Sequence, residues 1–405
     1  MERRAGDGGG PMNDLRHYET PLLPTPFHAR TEAACKTHAW ANWGGYRTVT
    51  TFEDLAMEHS AIRNTASVYD LCPMIKYRIE GPDAVAFLDR LTPRNVAKLR
   101  VGSVQYTVWC DDAGHLLDDG TLFRLTETRF RLCCQERHLP WLLDSAHGFD
   151  VTVTEETEEI AALSLQGPTS AEILRRAGVD IDALKPFRMM EVPFGMGRLM
   201  ISRTGFTGDL GYELWTTPDL ALPLWDHLMQ AGALHGLRPI GSDALNIARL
   251  EAGFIITGYD FIPAHVCLRE DRLRTPLDMG LGWLIDWEKG AFTGRNALMK
   301  QRAKGPDWAF VGLEIDGNIP ADGAILYRAQ KHEAGVVTGA CWSPTLKRNI
   351  ALAQLRADLV KSPDLWAEIY ALRELHYAKM MMRARVVDRP FYTPARRTLT
   401  PPARF

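Results

Sequence analysis

The spacing of apolar and polar positions changes repeatedly along the chain and predicts short strands mixed with helices. Between residues 67 and 125 the pattern predicts a strand, a helix and two further strands. A similar series surrounds residues 198–215, where two strand-like runs flank a glycine-rich stretch. Beyond residue 305 the pattern is strand-like with frequent turn signals. This order predicts an α+β fold with mixed sheets rather than a doubly wound parallel sheet.

The same changes of pattern suggest three regions. We expect a disordered tail over residues 1–14, an N-terminal region of two α+β subdomains over residues 15–304, and a small β-barrel over residues 305–405. Residues 20–51 show no clear period, which predicts an irregular segment laid over a later surface. No run of about 20 apolar residues occurs, so no membrane span is expected.

The glycine-rich stretch, residues 202–214, contains Gly205, Gly208 and Gly211. Glycine adopts positive φ without strain and lets other groups approach the main chain, so the stretch suits a backbone-lined binding turn. A strand follows the glycines instead of a helix, which excludes a dinucleotide-binding or phosphate loop. An ordinary hairpin with permissive glycines remains the alternative.

Composition narrows the class of protein. The 405 residues include 47 Lys plus Arg and 50 Asp plus Glu, and the net charge of -3 provides no field that would attract nucleic acid or an anionic membrane. The seven cysteines show no paired spacing for zinc or redox work, and no metal site is expected. The first residues lack the apolar core of a secretory signal, so a cytoplasmic location is expected.

Asp118 and Asp119 form the most distinctive acidic pair. Neighbouring side chains on a strand point to opposite faces, so we expect one carboxylate to enter a pocket and the other to be structural. A buried aspartate beside a ligand nitrogen can accept its N–H and stabilise a developing cation. A plain turn aspartate is the alternative.

Several motifs, taken in order, resemble the aminomethyltransferase family, which comprises the T protein of the glycine cleavage system and its folate-dependent relatives. The matching stretches are residues 70–71, 78–84, 106–110, 117–119, 165–168, 202–208, 211–213, 249–253, 280–283, 343–345 and 390–392. The resemblance covers residues 18–397. It implies tetrahydrofolate as cofactor and a ring-like, folate-binding fold with mixed sheets, a ferredoxin-like unit and a C-terminal β-barrel.

The resemblance also implies roles for individual residues. Asp119 matches the carboxylate beside the reactive nitrogens of the folate, and Glu213 matches the glutamate that holds the pterin ring. Phe206 stands where the family commonly has tyrosine. The other implied pocket residues are three aromatics and a cation for the folate's glutamate carboxylate: Tyr106, Trp283, Tyr392, and Arg397 or Arg396. Arg249 and Glu251 are expected to form ion pairs rather than to touch substrate.

The chain departs from the family pattern on the expected donor side. Cys72-Pro73-Met74 replaces a Ser-His-Met turn, residues 133–136 replace an asparagine-containing strand, Leu245 replaces an arginine, and the segment 261–275 is longer. These departures favour a stand-alone demethylase or aminomethyltransferase-like enzyme that transfers a methyl or methylene group from a small methylated or aminomethylated donor. Whether a lipoyl carrier protein is a partner remains open.

A non-catalytic folate-binding protein of the iron-sulfur assembly type is the alternative from another class. Those relatives have a Lys-Gly-Cys-Tyr-type motif where this chain has Ser-Arg-Thr-Gly-Phe at residues 202–206. The mismatch favours the enzyme.

Overall fold

A computed structural model describes residues 21–404, so the tail expected over residues 1–14 lies outside the described residues. Its helices are α1 (His28–Ala34), α2 (Leu55–Asn64), α3 (Ala84–Leu91), α4 (Leu139–Ser145), α5 (Ser170–Arg176), α6 (Ala221–Gly232), α7 (Ser242–Glu251) and α8 (Arg295–Lys304). None of the helices in the described residues is long and apolar enough to cross a membrane.

The strands fall into two open sheets, one hairpin and one barrel. In chain order they are β1 (Ala39–Trp43), β2 (Tyr46–Thr51), β3 (Ala66–Asp70), β4 (Ile75–Glu80), β5 (Ser103–Cys110), β6 (Leu116–Arg124), β7 (Arg129–Cys134), β8 (Thr152–Glu155), β9 (Ala161–Gln166), β10 (Met189–Phe194), β11 (Gly197–Ser202), β12 (Gly211–Thr216), β13 (Leu237–Pro239), β14 (Trp308–Ile315), β15 (Ile325–Arg328), β16 (His332–Ser343), β17 (Arg348–Arg356), β18 (Leu365–Arg373) and β19 (His376–Val387).

The N-terminal segment is more regular than its sequence suggests. Residues 20–51 were expected to be irregular, but they contain α1 and the antiparallel hairpin β1–β2. In β2, Tyr46, Thr48 and Val49 are buried, so a threonine takes part in the buried set. The prediction was wrong because threonine counts as polar in the pattern although its β-branched side chain suits a strand.

The six-stranded sheet has the order β10-β11-β12-β9-β3-β13, and only the β13–β3 pair is parallel. Helices α5 and α6 cover one face through apolar residues such as Leu174, Leu224 and Leu228, which share a core with Leu163 and Leu214 of the strands. The five-stranded sheet has the order β5-β6-β7-β4-β8, and α3 and α4 cover one of its faces. The predicted α+β arrangement is therefore confirmed.

The uncovered faces of the two sheets pack against each other. The rings of Phe123 on β6 and Trp215 on β12 meet edge to face, with centroids 5.2 Å apart. Val104, Cys133 and Met200 are buried in the same cluster. The candidate site lies on these two facing surfaces.

Strands β14 to β19 close into a barrel in the order β14-β17-β16-β15-β18-β19, as predicted for the C-terminal region. The barrel meets the N-terminal region through an apolar cluster, in which Val108 and Leu250 pack with Leu352, and through buried charged groups. Glu251 at the end of α7 accepts a hydrogen bond from Arg63 of α2 at 2.8 Å and another from Ser343 of β16 at 2.6 Å. Arg249 pairs with Asp260 at 2.6 Å. The prediction that Arg249 and Glu251 form ion pairs is confirmed, and their partners lie outside α7.

Beyond the barrel the chain returns to the N-terminal region. We call residues 389–404 the C-terminal strap. Arg203 donates to the carbonyl oxygen of Leu399 at 2.6 Å and to the Thr400 hydroxyl at 2.9 Å, and Arg175 donates to the carbonyl oxygen of Pro402 at 3.1 Å. The strap is thus attached to the six-stranded sheet and to α5.

Candidate functional site

The glycine-rich stretch connects β11 to β12, as the sequence predicts, but its glycines serve two different needs. Gly208 has a φ of +72°, a left-handed conformation that favours glycine. At Gly205 and Gly211, a Cβ atom would lie 2.1 Å from the side-chain oxygen of Gln166. The amide nitrogen of Gln166 donates to the carbonyl oxygens of Thr204 at 3.2 Å and Tyr212 at 3.3 Å. These two glycines therefore make room for the side chain that holds the loop.

Glu213 lies on β12 beside this loop and is half-buried. Its carboxylate accepts hydrogen bonds from the Thr204 hydroxyl at 2.5 Å and the Ser202 hydroxyl at 3.4 Å. Burial raises the pKa of Glu213 to about 7 in spite of these two donors. The side chain can therefore offer either a neutral or an ionised carboxyl group near neutral pH.

Asp119 lies on β6, where the hydroxyl of Tyr106 donates to its Oδ2 at 2.8 Å. Burial, followed by the negative charge of Asp118, raises the pKa of Asp119 to about 7. Burial and Asp119 in turn raise the pKa of Tyr106 well above its ordinary value. Tyr106 therefore stays a hydrogen-bond donor to Asp119 over the physiological range.

Asp118 is fully buried and is held by several donors. Its carboxylate accepts from the backbone N–H groups of Asp119 at 2.8 Å and Glu136 at 3.1 Å, and its Oδ2 lies 3.0 Å from Nε2 of His138. The sequence predicted that the two carboxylates would point to opposite faces of the strand, but both contact the hydroxyl oxygen of Thr257. The Thr257 hydroxyl oxygen is 2.5 Å from Oδ1 of Asp118 and 2.7 Å from Oδ1 of Asp119.

The two acidic centres face the same space. Side chains alternate along a strand, so Asp119 and Phe123 share one face of β6, and Glu213 and Trp215 share one face of β12. Because Phe123 and Trp215 are in contact, these faces oppose each other. Asp119 and Glu213 therefore lie on the facing surfaces of the two sheets, and we call the region between these surfaces the cleft.

Phe206 lies at the glycine-rich loop and stacks on Phe254, with ring centroids 5.6 Å apart. The guanidinium of Arg397 lies 5.3 Å from the centroid of the Phe254 ring. Arg397 makes no ion pair with any residue in the described part of the chain, and burial lowers its pKa. It is thus a cation available to an anionic ligand.

Arg396, the other arginine considered for the ligand carboxylate, is already engaged. Its guanidinium binds both carboxylate oxygens of Asp209, at 2.6 and 2.7 Å. It also donates to the hydroxyl of Tyr392 at 2.9 Å, while Arg63 lies over the Tyr392 ring at 4.5 Å. The structure therefore favours Arg397 over Arg396, and it surrounds Tyr392 with arginines.

Trp283 stacks on Tyr106 with centroids 6.5 Å apart, and the guanidinium of Arg94 lies 5.7 Å from the Trp283 ring centroid. A cavity of about 820 Å³ opens beside this pair. Arg94, Arg100 and Arg302 are among the residues that line it. The structure thus joins Tyr106, Trp283 and Asp119 at one end of the site, with a basic cavity next to them.

Sequence reasoning missed four residues of the site: Ser202, Thr204, Phe254 and Thr257. Ser202 and Thr204, whose hydroxyls donate to Glu213, lie within the glycine-rich stretch. Two hydroxyl residues spaced two apart just before β12 were the signal that could have identified them. Thr257 and Phe254 lie in a loop after α7, and nothing in their local pattern marks them.

The class of protein is defined by its fold and its site: two helix-covered sheets that face each other with an acidic residue on each facing surface, followed by a six-stranded barrel. The GCVT N-terminal domain model matches residues 22–289, and the glycine cleavage T-protein C-terminal barrel domain model matches residues 309–393. The chain therefore belongs to the glycine cleavage T-protein family, whose enzymes transfer an aminomethyl group to tetrahydrofolate.

Individual relatives agree with this assignment. An aminomethyltransferase of Geobacillus thermodenitrificans is 34% identical over 385 residues, covering 93% of this chain and 99% of the relative. That of Bacillus pumilus is 33% identical over 385 residues with the same coverage. The crystal structure of the glycine cleavage system aminomethyltransferase T from Bartonella henselae matches with a TM-score of 0.80 and 27% identity, covering 92% of this chain and 98% of that one.

Proposed function

We propose that the protein transfers a methyl or methylene group from a small methylated or aminomethylated donor to tetrahydrofolate. The observation that carries this proposal is that Asp119 and Glu213 lie on the facing surfaces of the two sheets, each as a buried or half-buried carboxyl group with a raised pKa. Perturbed carboxyl groups that converge in a cleft are typical of functional sites.

The residues of the cleft fit tetrahydrofolate. Two aromatic pairs, Phe206 with Phe254 and Tyr106 with Trp283, offer flat surfaces for its rings. Glu213 can bind the hydrogen-bonding edge of the pterin, and Arg397 has no carboxylate partner of its own among the described residues. When bound, tetrahydrofolate supplies the nitrogen that accepts the one-carbon unit.

Asp119 would orient the folate amine and stabilise positive charge at the transferring centre. A carboxylate in a buried site is effective in this role because few water molecules screen it. Tyr106 would hold the carboxylate in place through its 2.8 Å hydrogen bond. The cleft as a whole would keep the donor carbon and the folate nitrogen within attack distance.

The surroundings of the cleft favour a small methylated donor. Leu245, which stands where the resemblance places an arginine, packs half-buried against the apolar cluster of Trp215 and Cys133, and so does Met74. Trp43 also packs there and stacks on Tyr69. Methyl groups suit such walls. Two arginines of the longer 261–275 segment already have partners: Arg274 is buried over Trp308, and Arg269 forms an exposed pair with Asp271.

The test is to incubate the protein with tetrahydrofolate and a panel of methylated amines, betaines and sulfonium compounds, with and without a lipoylated carrier protein. We expect 5-methyl- or 5,10-methylene-tetrahydrofolate, followed by mass spectrometry, to form from a small donor without the carrier. Formation only with the carrier would make the protein an aminomethyltransferase that depends on a lipoyl partner. Binding of tetrahydrofolate without product from any donor would favour the non-catalytic alternative.

Asp119→Ala should lower this turnover by at least about 100-fold, because it removes the charge that stabilises the transferring centre. Asp112→Ala is the matched control, since Asp112 is an exposed aspartate in the turn between β5 and β6. Unchanged turnover in Asp119→Ala would show that the carboxylate has no part in the reaction.

A further inference from the structure

Thr257 has too few hydrogen atoms to form hydrogen bonds with two ionised aspartates. The Thr257 hydroxyl carries one hydrogen, yet its oxygen lies within hydrogen-bond distance of both Asp118 and Asp119. A hydroxyl can donate to only one of these carboxylates, so the second short contact needs a proton on a carboxyl group. Two carboxylates around one hydroxyl oxygen therefore share a proton, as closely spaced carboxyl groups commonly do.

The surroundings decide where that proton rests. Asp118 accepts two backbone N–H groups and faces the Nε2 of His138, a set of donors that suits an anion. Among the described residues, the carboxyl group of Asp119 accepts from the Tyr106 hydroxyl and has no other polar contact besides Thr257. In the free protein the proton is therefore on Asp119, whose O–H donates to Thr257, while the Thr257 hydroxyl donates to Asp118.

We propose that Thr257 is a proton relay between Asp119 and Asp118, and that Asp118 stores the proton of Asp119 while Asp119 acts as an anion on bound folate. The O–H bond of Asp119 breaks and one forms on the Thr257 oxygen, while the original Thr257 O–H bond breaks and one forms on Oδ1 of Asp118. The net charge of the three groups is unchanged, and no co-reactant is needed. This inference rests on the proposed function, because the arrival of a folate N–H beside Asp119 is what drives the transfer.

The loop that carries Thr257 is fixed firmly enough for such a relay. Asp260 accepts from the Ile256 N–H at 2.8 Å, from Arg249 at 2.6 Å and from the Thr338 hydroxyl at 2.5 Å. Gln354 of β17 donates to the carbonyl oxygen of Asp260. Thr257 is thus clamped between α7 and the barrel, and its hydroxyl oxygen is held at the point where the two aspartates meet.

The ionisable groups around the relay come from every element packed against it. They are Tyr106 on β5, Asp118 on β6, Cys134 on β7, His138 before α4, Asp260 in the clamped loop, His265 in the 261–275 segment and Arg389 in the strap. Asp118 and Asp260 disfavour the Asp119 anion, whereas Tyr106 and Thr257 favour it. His265 is exposed and its ring lies 5.2 Å from that of buried His138, which gives the stored proton a neighbour that reaches solvent.

The first test uses the free protein and needs no folate. Infrared difference spectra would follow the C=O stretch of protonated carboxyl groups, with Asp118→Asn and Asp119→Asn to assign the bands. In Thr257→Val, we expect the Asp119 band to move to higher frequency, because its O–H loses an acceptor. Its titration midpoint should rise, because the ionised form loses the Thr257 hydroxyl as a donor, and a hydrogen bond to a charged group is the stronger of the two. Thr257→Ser should restore both. An unchanged band and midpoint in Thr257→Val would overturn the relay whether or not folate binds.

The second test adds tetrahydrofolate at a concentration that calorimetry shows to be saturating. In the wild type, the protonated band of Asp119 should disappear and one of Asp118 should appear, and Thr257→Val should lose this exchange. Its single-turnover rate should fall by at least about 100-fold, the usual size of a lost proton-transfer contribution. Thr92→Val is the matched control, since Thr92 is fully buried and its hydroxyl contacts only backbone carbonyl oxygens.

The outcomes separate the relay from the proposed function. If saturating tetrahydrofolate leaves the wild-type Asp119 band in place, the relay and the charged role of Asp119 are overturned, while one-carbon transfer to tetrahydrofolate is still decided by the product assay. Absence of tetrahydrofolate binding would overturn the proposed function, and the result in the free protein would still decide whether the aspartates share a proton.

Discussion

Glu213 shows how its neighbours set the chemistry of one carboxyl group. The hydroxyls of Thr204 and Ser202 fix its orientation, and the Trp215 indole N–H donates to Ser202 at 3.2 Å, which orients that hydroxyl in turn. Burial raises the pKa of Glu213 to about 7. A ligand that brings N–H donors to this group therefore finds it already oriented and incompletely satisfied.

Glu213→Ala should weaken tetrahydrofolate binding by roughly 10- to 100-fold, the usual effect of losing a hydrogen bond to a charged group. Isothermal titration calorimetry would measure it. Glu191→Ala is the matched control, because Glu191 is an exposed glutamate on β10 that pairs with Arg198 on the surface. Equal affinities in the wild type and Glu213→Ala would exclude Glu213 as the pterin anchor.

How far the sequence predicts the site depends on the kind of contact. Asp119 and Glu213 were identified because each lies in an ordered motif that resembles a known family. Thr257 was missed because its contact with Asp119 joins residues far apart in the chain, and no local period records such a contact. Arg396 and Arg397 could not be told apart from sequence, since only the structure reveals that Asp209 binds Arg396.

At the scale of elements, the loop between β11 and β12 depends on a side chain from another strand. Gln166 at the end of β9 reaches into the loop, and the Thr207 hydroxyl donates to its side-chain oxygen at 3.0 Å. The positions of Gly205 and Gly211 follow from this contact. The sequence predicted a strand, a glycine loop and a strand correctly, but it attributed all three glycines to binding and to positive φ.

Gly205→Ala should destabilise the protein by roughly 1 to 3 kcal/mol, because the new methyl group must displace Gln166 from its hydrogen bonds. Denaturant unfolding would report the change as a lower midpoint. Gly290→Ala is the control, since Gly290 has an ordinary φ and no atom near its Cβ position. A Gly205→Ala protein as stable as the control would mean that Gln166 is not required to hold the loop.

At the scale of the whole molecule, buried charges join parts of the fold that a hydrophobic pattern cannot relate. Burial alone would raise the pKa of Glu251, but the hydrogen bond from His59 and the charges of Arg63 and His59 outweigh it and lower the pKa to about 2. Ser343 of the barrel binds the other carboxylate oxygen. The sequence predicted the barrel and the mixed sheets, and it could not predict how they are attached to each other.

Glu251→Gln should destabilise the protein by up to about 5 kcal/mol at neutral pH, because Arg63 loses the nearer of its two buried carboxylate partners and keeps only Asp209 at 3.5 Å. Since the folded-state pKa of Glu251 lies below its usual value, its contribution is present above about pH 4.5 and is lost as the pH falls towards about 2. The difference between the variant and the wild type should therefore shrink on acidification.

Denaturant unfolding at several pH values would measure this difference. Asp307→Asn serves as the control, because it breaks an exposed pair with Lys304 that contributes less than about 1 kcal/mol. A Glu251→Gln variant with wild-type stability at neutral pH would show that the junction does not depend on this charge.

The C-terminal strap has a consequence for biosynthesis. Residues 389–404 provide the Leu399 carbonyl oxygen that binds Arg203, the Tyr392 ring that Arg63 covers, and the guanidinium of Arg397. A ribosome makes both open sheets and the whole barrel before it adds these residues. The nascent chain can thus fold its cores early, but its cleft gains the cation opposite Phe254 only when synthesis has passed Arg397.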